Sequence, residues 1–219
     1  MEFPFGDFSE FPVSRFESML KTNEIQFFDA SEFEEIGQYY IDAANLSMAK
    51  KAIEVGLNQH PDATELTLLL IEYHTLTNSY EEARILVDNL ITIEPFNPYA
   101  FQHLAVIQSK CNEHQEAIES LKKGLKYIDA KYEFHALLAM EYLYLDAFFM
   151  AKEYFISCLD AEVTDNHALS NIIYCFESLK DADGAIAYMN AFLNKDPYNE
   201  VAWHQLGRQY LAKQMYEQA

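Results

Sequence analysis

One residue type returns at a fixed spacing along most of this 219-residue chain. Alanine occupies every thirty-fourth position of one register, at Ala49, Ala83, Ala117, Ala151, Ala185 and Ala219. A period of roughly twenty to fifty residues is typical of stacked supersecondary units, in which each unit packs mainly on its neighbours. The spacing therefore predicts a repeat architecture in place of a single globular core, and it does not say what the protein binds.

Further columns keep the same register. If the first unit begins at Ala30, the seventh position is apolar in every unit, with Ile36, Leu70, Leu104, Leu138, Ile172 and Leu206. The thirty-second position carries Pro61, Pro95 and Pro197. Positions four, seven, eight and eleven share one helical face, position twenty lies where two helices cross closely, and the prolines end the second helix. Each unit is thus predicted to be a helix, a turn and a second helix.

These columns resemble the tetratricopeptide-repeat (TPR) family, whose unit is a 34-residue helix–turn–helix. In the last unit the matching residues are Trp203, Leu206, Gly207, Tyr210 and Ala219. In the first unit they are Phe33, Ile36, Gly37, Tyr40, Ala49, Ile53, Gly56 and Pro61. The family prefers a small residue at the eighth position, from which Ile71 and Ile173 depart. The resemblance implies an all-α fold, a right-handed α–α superhelix (TPR solenoid) of about five and a half repeats with an N-terminal helical cap.

The predicted organisation has two parts. An acidic, Phe-rich arm and capping helix occupy residues 1–29, and the TPR solenoid occupies 30–219, with units 30–63, 64–97, 98–131, 132–165, 166–199 and a partial 200–219. Helices are expected near 30–44, 47–59, 64–77, 80–93, 98–110, 113–128, 132–145, 147–160, 166–179, 182–195 and 200–213. Because Ala219 is the crossing alanine of a helix that has barely begun, we expect further repeats or another domain to follow it.

Composition narrows the classes of partner. The formal net charge of −20 makes contact with DNA, RNA or anionic lipid repulsive, so we expect neither a nucleic-acid nor a membrane partner. The N-terminus lacks a basic stretch followed by an apolar one, which leaves the cytoplasm as the expected location. The three cysteines, Cys111, Cys158 and Cys175, are scattered in the repeat and are expected to be buried or idle thiols.

The segment before the repeats is rich in phenylalanine, with Phe3, Phe5, Phe8, Phe11 and Phe16. The run from Ser14 to Glu17 has the spacing of a capping box and predicts a helix over 15–23, with Phe16, Met19 and Leu20 on one side. One interpretation is a cap over the edge of the first repeat. The other is an extended arm over residues 3–11 that docks in its own groove, in a neighbouring chain or in a partner, with Pro4 and Pro12 favouring extended backbone there.

The motifs of common enzymes do not occur in this sequence. There is no H-E-x-x-H, no P-loop, no G-x-G-x-x-G after a strand and no G-x-S-x-G elbow. The seven histidines occupy different positions of the repeat, with no pair at ligand spacing on one helix. We therefore expect no catalytic residues, no metal and no cofactor, and interpret the chain as not an enzyme.

The resemblance also implies a binding face. In this family, positions two, five, nine and twelve of each first helix line a concave groove and contact peptides. The residues carried over as partner-binding are Tyr99, Gln102, Val106, Glu133, Ala136, Met140, His167, Ser170, Tyr174, His204 and Arg208. Only Arg208 is cationic, so we expect no clamp for a C-terminal carboxylate. The early groove is acidic, through Glu34, Glu65 and Glu72, and the middle is mostly apolar. An alternative is that these residues partly pack within the solenoid and that partners bind the convex face or the edges.

Two hypotheses from different classes follow. The first is a non-catalytic protein-interaction scaffold that binds a peptide or amphipathic helix with apolar anchors, with basic flanks toward the N-terminal repeats. The alternative is a regulatory or substrate-recruiting TPR arm of a larger enzyme whose catalytic domain lies beyond residue 219. Self-association through the N-terminal arm or the open C-terminal edge is a third option.

Overall fold

The computed structural model describes residues 10–22, 25–162 and 164–215. Over these ranges the chain forms twelve α-helices and no strand, and it divides into two compact units, residues 1–111 and 112–219. The first unit holds α1 (Glu10–Thr22), α2 (Ala30–Asp42), α3 (Leu46–Gln59), α4 (Thr64–Leu76), α5 (Tyr80–Ile93) and α6 (Pro98–Lys110). The second holds α7 (His114–Gly124), α8 (Tyr132–Tyr144), α9 (Phe148–Ala161), α10 (Asn166–Ser178), α11 (Ala182–Lys195) and α12 (Glu200–Ala212).

The repeating alanines lie in the core. The side chains of all five that the structure describes are completely buried: Ala49, Ala83, Ala117, Ala151 and Ala185. Each stands in the first turns of a second helix, which packs against the first helix of the same repeat, as α3 does on α2 and α9 on α8. A methyl group permits this close approach, which a larger side chain would block. Ala219 lies outside the described residues.

Glycine serves the same purpose at two places in the first repeat. A Cβ added to Gly37 would collide with the side chain of Leu69 on α4. A Cβ added to Gly56 would lie 2.9 Å from Cγ of Phe33 and equally close to Leu66 Cδ1. Both contacts are shorter than van der Waals distance, so α2, α3 and α4 approach one another more closely here than alanine would allow.

The turn between the two helices of each repeat is also repeated. The residue at position fifteen has a positive φ in Ala44, Asn78, Asn112, Asp146, Lys180 and Gln214. The following amide closes the helix end: Asn45 donates to the carbonyl of Tyr40, and 34 residues later Ser79 donates to that of His74, both at 2.8 Å. These bonds form a Schellman motif, which satisfies carbonyls left unpaired at the end of the first helix.

Replacing Ala44 by glycine is therefore expected to stabilise the chain. Ala44 has a φ of 54°, a conformation that costs an L-residue about 1–2 kcal/mol, whereas glycine adopts it freely. After the larger entropy of glycine in the unfolded chain is subtracted, Ala44→Gly should gain roughly 0.5 kcal/mol. The adjacent Ala43 has a φ of −76°, so Ala43→Gly should lose about as much. Urea denaturation of both variants checks the opposite signs, and a loss in both would contradict the assignment.

Helix α1 forms the N-terminal cap that the sequence predicts. Phe16 is fully buried, and its ring makes edge-on contacts of 6.3 Å with the rings of Phe28 and Phe33. Met19 is buried beside it, and Leu20 packs partly against the same cluster. Arg15 ties α1 to the first repeat through a 2.7 Å ion pair with Glu32. The apolar side of α1 thus covers the outer face of α2 and removes an exposed apolar edge.

Two helix ends differ from the sequence-based expectation. Helix α1 begins at Glu10, five residues before the predicted start, so Pro12 lies in the first turn of a helix and not in an extended segment. A proline is tolerated there because the amides of a first turn have no partner within the helix. Helix α7 ends at Gly124, before the predicted 128, because the amides of Lys126 and Tyr127 bond the third preceding carbonyl. Residues 1–9, which include most of the proposed extended arm, lie outside the described part of the chain.

Candidate functional site

The candidate site is the face formed by positions two, five, nine and twelve of the first helices, here called the first-helix face. Within the first unit α2 contacts α4, and α4 contacts α6. Within the second unit α10 contacts α12. In these pairs, first helices of consecutive repeats therefore lie side by side, and their outward positions form neighbouring rows.

Three predicted residues belong to the first unit, on α6. Tyr99 is about half exposed, with 50% of its surface accessible, whereas Gln102 and Val106 are only partly accessible. Tyr99 also borders a surface pocket of about 450 Å³ made by the loop before α6, which includes the exposed Phe96. Asn97 caps α6 by accepting hydrogen bonds from the amides of Tyr99 and Ala100, which fixes the position of Tyr99 in the first turn of the helix.

The remaining predicted residues lie in the second unit. On α8, Glu133 is exposed while Ala136 and Met140 pack partly against the core of that unit. On α10, His167, Ser170 and Tyr174 are all exposed, and on α12 His204 and Arg208 are exposed. The interpretation that these side chains pack within the fold therefore fits Ala136 and Met140 in part, and it does not fit the five residues of α10 and α12.

Neighbouring rows of the second unit touch directly. Arg208 lies 3.6 Å from the carboxylate of Glu177, which occupies position twelve of the preceding first helix. Gln209 donates a 2.7 Å hydrogen bond to the same carboxylate. The ring of Tyr174 meets that of Phe148 edge-on at 6.0 Å. The structure thus brings α10 and α12 together as one surface on which an exposed tyrosine lies near a partly exposed ion pair.

The acidic residues predicted for the early groove also interact. Burial first, and then the neighbouring carboxylates of Glu65 and Glu35, raise the pKa of Glu34 above its usual value. Burial and the charge of Asp42 raise the pKa of Glu72. Like charges on α2 and α4 therefore repel one another across the first-helix face of the first unit. A cation placed there would relieve this repulsion.

One polar aromatic cluster was not anticipated from the sequence. In the second unit the rings of Tyr142 and Tyr154 stack at 5.6 Å, and the ammonium of Lys122 lies 5.5 Å from the Tyr142 ring centre. A hydrogen bond to Tyr142 raises the pKa of Lys122, and burial raises that of Tyr154. His135 packs on Tyr154, and burial lowers its pKa. Because the contacts join α7, α8 and α9, the cluster stabilises helix packing.

The described residues contain no group of three or more His, Cys, Asp or Glu side chains arranged to hold a metal ion. Cys111, Cys158 and Cys175 are free thiols. Burial raises the pKa of both Cys158 and Cys175 to about 11, which keeps these two protonated and poorly nucleophilic at neutral pH. Across the part of the chain that is described, no helix is long and apolar enough to cross a bilayer.

Comparison with known proteins gives a result at the level of the fold. No family model matches the chain, and no curated protein sequence matches it. Among solved structures, pilF of Pseudomonas aeruginosa is 14% identical with a TM-score of 0.68, over 87% of this chain and 86% of that one. MamA is 17% identical with a TM-score of 0.60, over 78% of this chain and 95% of its own. YrrB, a TPR protein with an unusual peptide-binding site, is 14% identical with a TM-score of 0.56, over 86% of this chain and 95% of its own.

These similarities and the repeated geometry agree. The chain has the fold of the TPR proteins, all-α and built of 34-residue helix–turn–helix repeats, as the sequence predicts. Identities of 14–17% establish the fold and leave the function to be argued from the surface of this chain.

Proposed function

We propose that this protein is a non-catalytic interaction scaffold, and that the first-helix face of its second unit binds a peptide or an amphipathic helix through apolar anchors. The observation that carries the proposal is the exposure of Tyr174. This residue lies in the middle of α10, and 52% of its surface is accessible, so its ring is not part of the core. The side chain of Met140 and the small Ala136 lie partly exposed on α8. Aromatic and methionine side chains of this kind adapt to apolar ligands.

Exposed apolar area on α12 supports the same face. Leu211, which occupies position twelve of its repeat, is 53% exposed. It follows Arg208 by three residues, so both side chains lie on one side of the helix. Isolated exposed leucines are common on protein surfaces, but this one shares its face with Tyr174 through the contact between α10 and α12.

The acidic first-helix face of the first unit supports a second element of the proposal, a basic stretch in the partner. Burial and the charges of Glu65 and Glu35 raise the pKa of Glu34, and burial and the charge of Asp42 raise that of Glu72. A lysine or arginine bound beside these carboxylates would be attracted to them and would relieve the repulsion between Glu34 and Glu65. The first-helix face of the first unit therefore favours a basic ligand segment, and that of the second unit favours an apolar one. YrrB, which shares the fold, has a peptide-binding site, which makes a peptide ligand reasonable here.

The test is a selection of displayed random peptides on the wild-type chain, followed by binding measurements on variants. The variant Tyr174→Ala with Ser170→Glu changes two exposed residues of α10 and should weaken the selected peptides roughly tenfold or more. Met140→Glu is less suitable because Met140 packs partly against the core. The matched control is Tyr198→Ala with Ala187→Glu, which removes a tyrosine that is 90% exposed in the loop before α12 and adds one acid on α11.

The control variant should bind the selected peptides as the wild type does. If both double variants lose binding equally, or neither does, the first-helix face of the second unit is not the binding surface. Sequences enriched in acidic residues without apolar ones would also contradict the proposal.

A further inference from the structure

The first residue of each second helix, position seventeen of the repeat, is large in four repeats and small in one. The series reads Leu46, Tyr80, His114, Phe148 and Ala182 among the described residues. Every member begins its helix: α3, α5, α7, α9 and α11 respectively. The exception, Ala182, lies in the second unit, where the two preceding members of the series can be compared with it directly.

The large side chains at this position fill the space against the next first helix. The His114 ring stacks on Tyr144 of α8 at 4.9 Å, and its Nδ1 lies 2.8 Å from the carboxylate of Glu141, which is almost fully buried. One repeat later, the Phe148 ring packs edge-on against Tyr174 of α10. In the second unit, position seventeen thus acts as a plug beside the first helix of the following repeat.

The corresponding space beside Ala182 is open. The residues of α12 that correspond to Glu141, Tyr144 and Tyr174 are Gln209, Ala212 and Arg208. All three line one cleft of about 550 Å³ together with Ala182, and Glu177, Lys180 and Leu211 complete the lining. The cleft therefore occupies the place where a ring stands in the preceding repeats, and it is open because alanine replaces that ring.

We propose that this cleft binds a phenylalanine side chain of an acidic segment, and that the segment is residues 1–9 of a second copy of this chain. Phe148 shows that a phenyl ring suits this position in the repeat. Lys180 and Arg208 line the cleft with one acid, Glu177, which pairs with Arg208, so the lining carries one net positive charge in a chain whose net charge is −20. A ligand that carries carboxylates next to an aromatic ring satisfies both features.

Residues 1–9 have this chemistry. They contain Phe3, Phe5 and Phe8 together with Glu2 and Asp7, and no lysine or arginine occurs before Arg15. They precede α1, whose own Phe16 and Met19 pack against the first repeat. Nine residues can span about 30 Å when extended, which is enough for the segment of one molecule to reach a cleft on another. The proposal rests on the proposed function, because Arg208 and Leu211 belong to the first-helix face.

The experiment measures the fluorescence anisotropy of a labelled peptide with the sequence of residues 1–9 during titration with the full chain. We expect saturable binding that weakens in high salt. Ala182→Phe, which restores the missing plug, should weaken binding roughly tenfold or more, as should Arg208→Glu. The matched control is Ala187→Phe, which places the same ring at an exposed position of α11 and should leave binding unchanged. A peptide in which the three phenylalanines are replaced by alanine should not bind.

Sedimentation of the full chain tests the second copy. The average mass should rise with concentration for the wild type and for Ala187→Phe, and it should stay that of the monomer for Ala182→Phe. Equal peptide binding by Ala182→Phe and the wild type would overturn the cleft as the site. If the wild type stays a monomer at every concentration, association in trans is wrong. That result is also the one expected if the segment occupies the cleft of its own chain. The selected peptides described above separate the two proposals, because Tyr174→Ala with Ser170→Glu tests the wider face and leaves Ala182 unchanged.

Discussion

Ala185→Leu is expected to lower the free energy of unfolding of the second unit by about 3 kcal/mol or more. Ala185 is completely buried near the start of α11, in one cluster with Ile172, Leu169 and Leu206 from the helices on either side. Leucine adds three carbon atoms at a point where helices approach within the width of a methyl group. The neighbours cannot move aside without separating α10 from α11 or α11 from α12, which contact each other.

The matched variant is Ala187→Leu, two residues further along the same helix at an exposed position. Leucine and alanine have similar helix propensities, so this change should alter stability by no more than about 0.5 kcal/mol. Urea denaturation monitored by the fluorescence of Trp203 is the measurement. Trp203 is the single tryptophan of the chain and stands on α12, next to the altered helix. Equal stability of the two variants would mean that position twenty tolerates a large side chain and does not limit helix approach.

Phe16→Ala is expected to cost about 3–5 kcal/mol in the first unit. The ring is fully buried and touches the rings of Phe28, Phe33 and Tyr40. Its removal therefore leaves a cavity lined by aromatic side chains, which α1 cannot fill by shifting. The loss should be larger than that of a typical surface change because α1 attaches to the first repeat chiefly through this residue and its apolar neighbours.

Phe27→Ala provides the comparison for Phe16→Ala. Phe27 is 65% exposed and contacts the His60 ring at 5.3 Å, so its removal should cost less than about 1 kcal/mol. Hydrogen exchange of the amides in α1, α2 and α3 measures both variants. If the exchange of α2 stays unchanged in Phe16→Ala while α1 alone opens, α1 is an appendage and not a cap that stabilises the first repeat.

The sequence predicted the helices well because their determinants are local and periodic. The alanine at position twenty, the apolar seventh position and the prolines each act within one repeat or between adjacent repeats, so a register read from the chain locates them. The same register placed Tyr174 and Arg208 on neighbouring helices, and the contact of Arg208 with Glu177 agrees with that placement.

Some features were not predicted, either because the sequence carries no local signal for them or because they depend on contacts between particular side chains. The positive φ at position fifteen was not predicted, because this chain places alanine, asparagine, aspartate, lysine and glutamine there in place of the usual glycine. Helix α1 begins before its predicted capping box because Pro12 fits a first helical turn as well as an extended chain. The cleft at Ala182 could not be predicted, because it depends on the contacts by which His114 and Phe148 fill the equivalent space in the preceding repeats.

The role proposed for the first-helix face is tested most directly by hydrogen exchange on the complex with a peptide selected as described. A ligand on that face should slow exchange in α8, α10 and α12 of the second unit, with the largest change around Tyr174. Slowed exchange confined to α9 and α11, for example near the surface pocket that Tyr188 and Lys195 line, would place the partner on the second helices and contradict the proposed function.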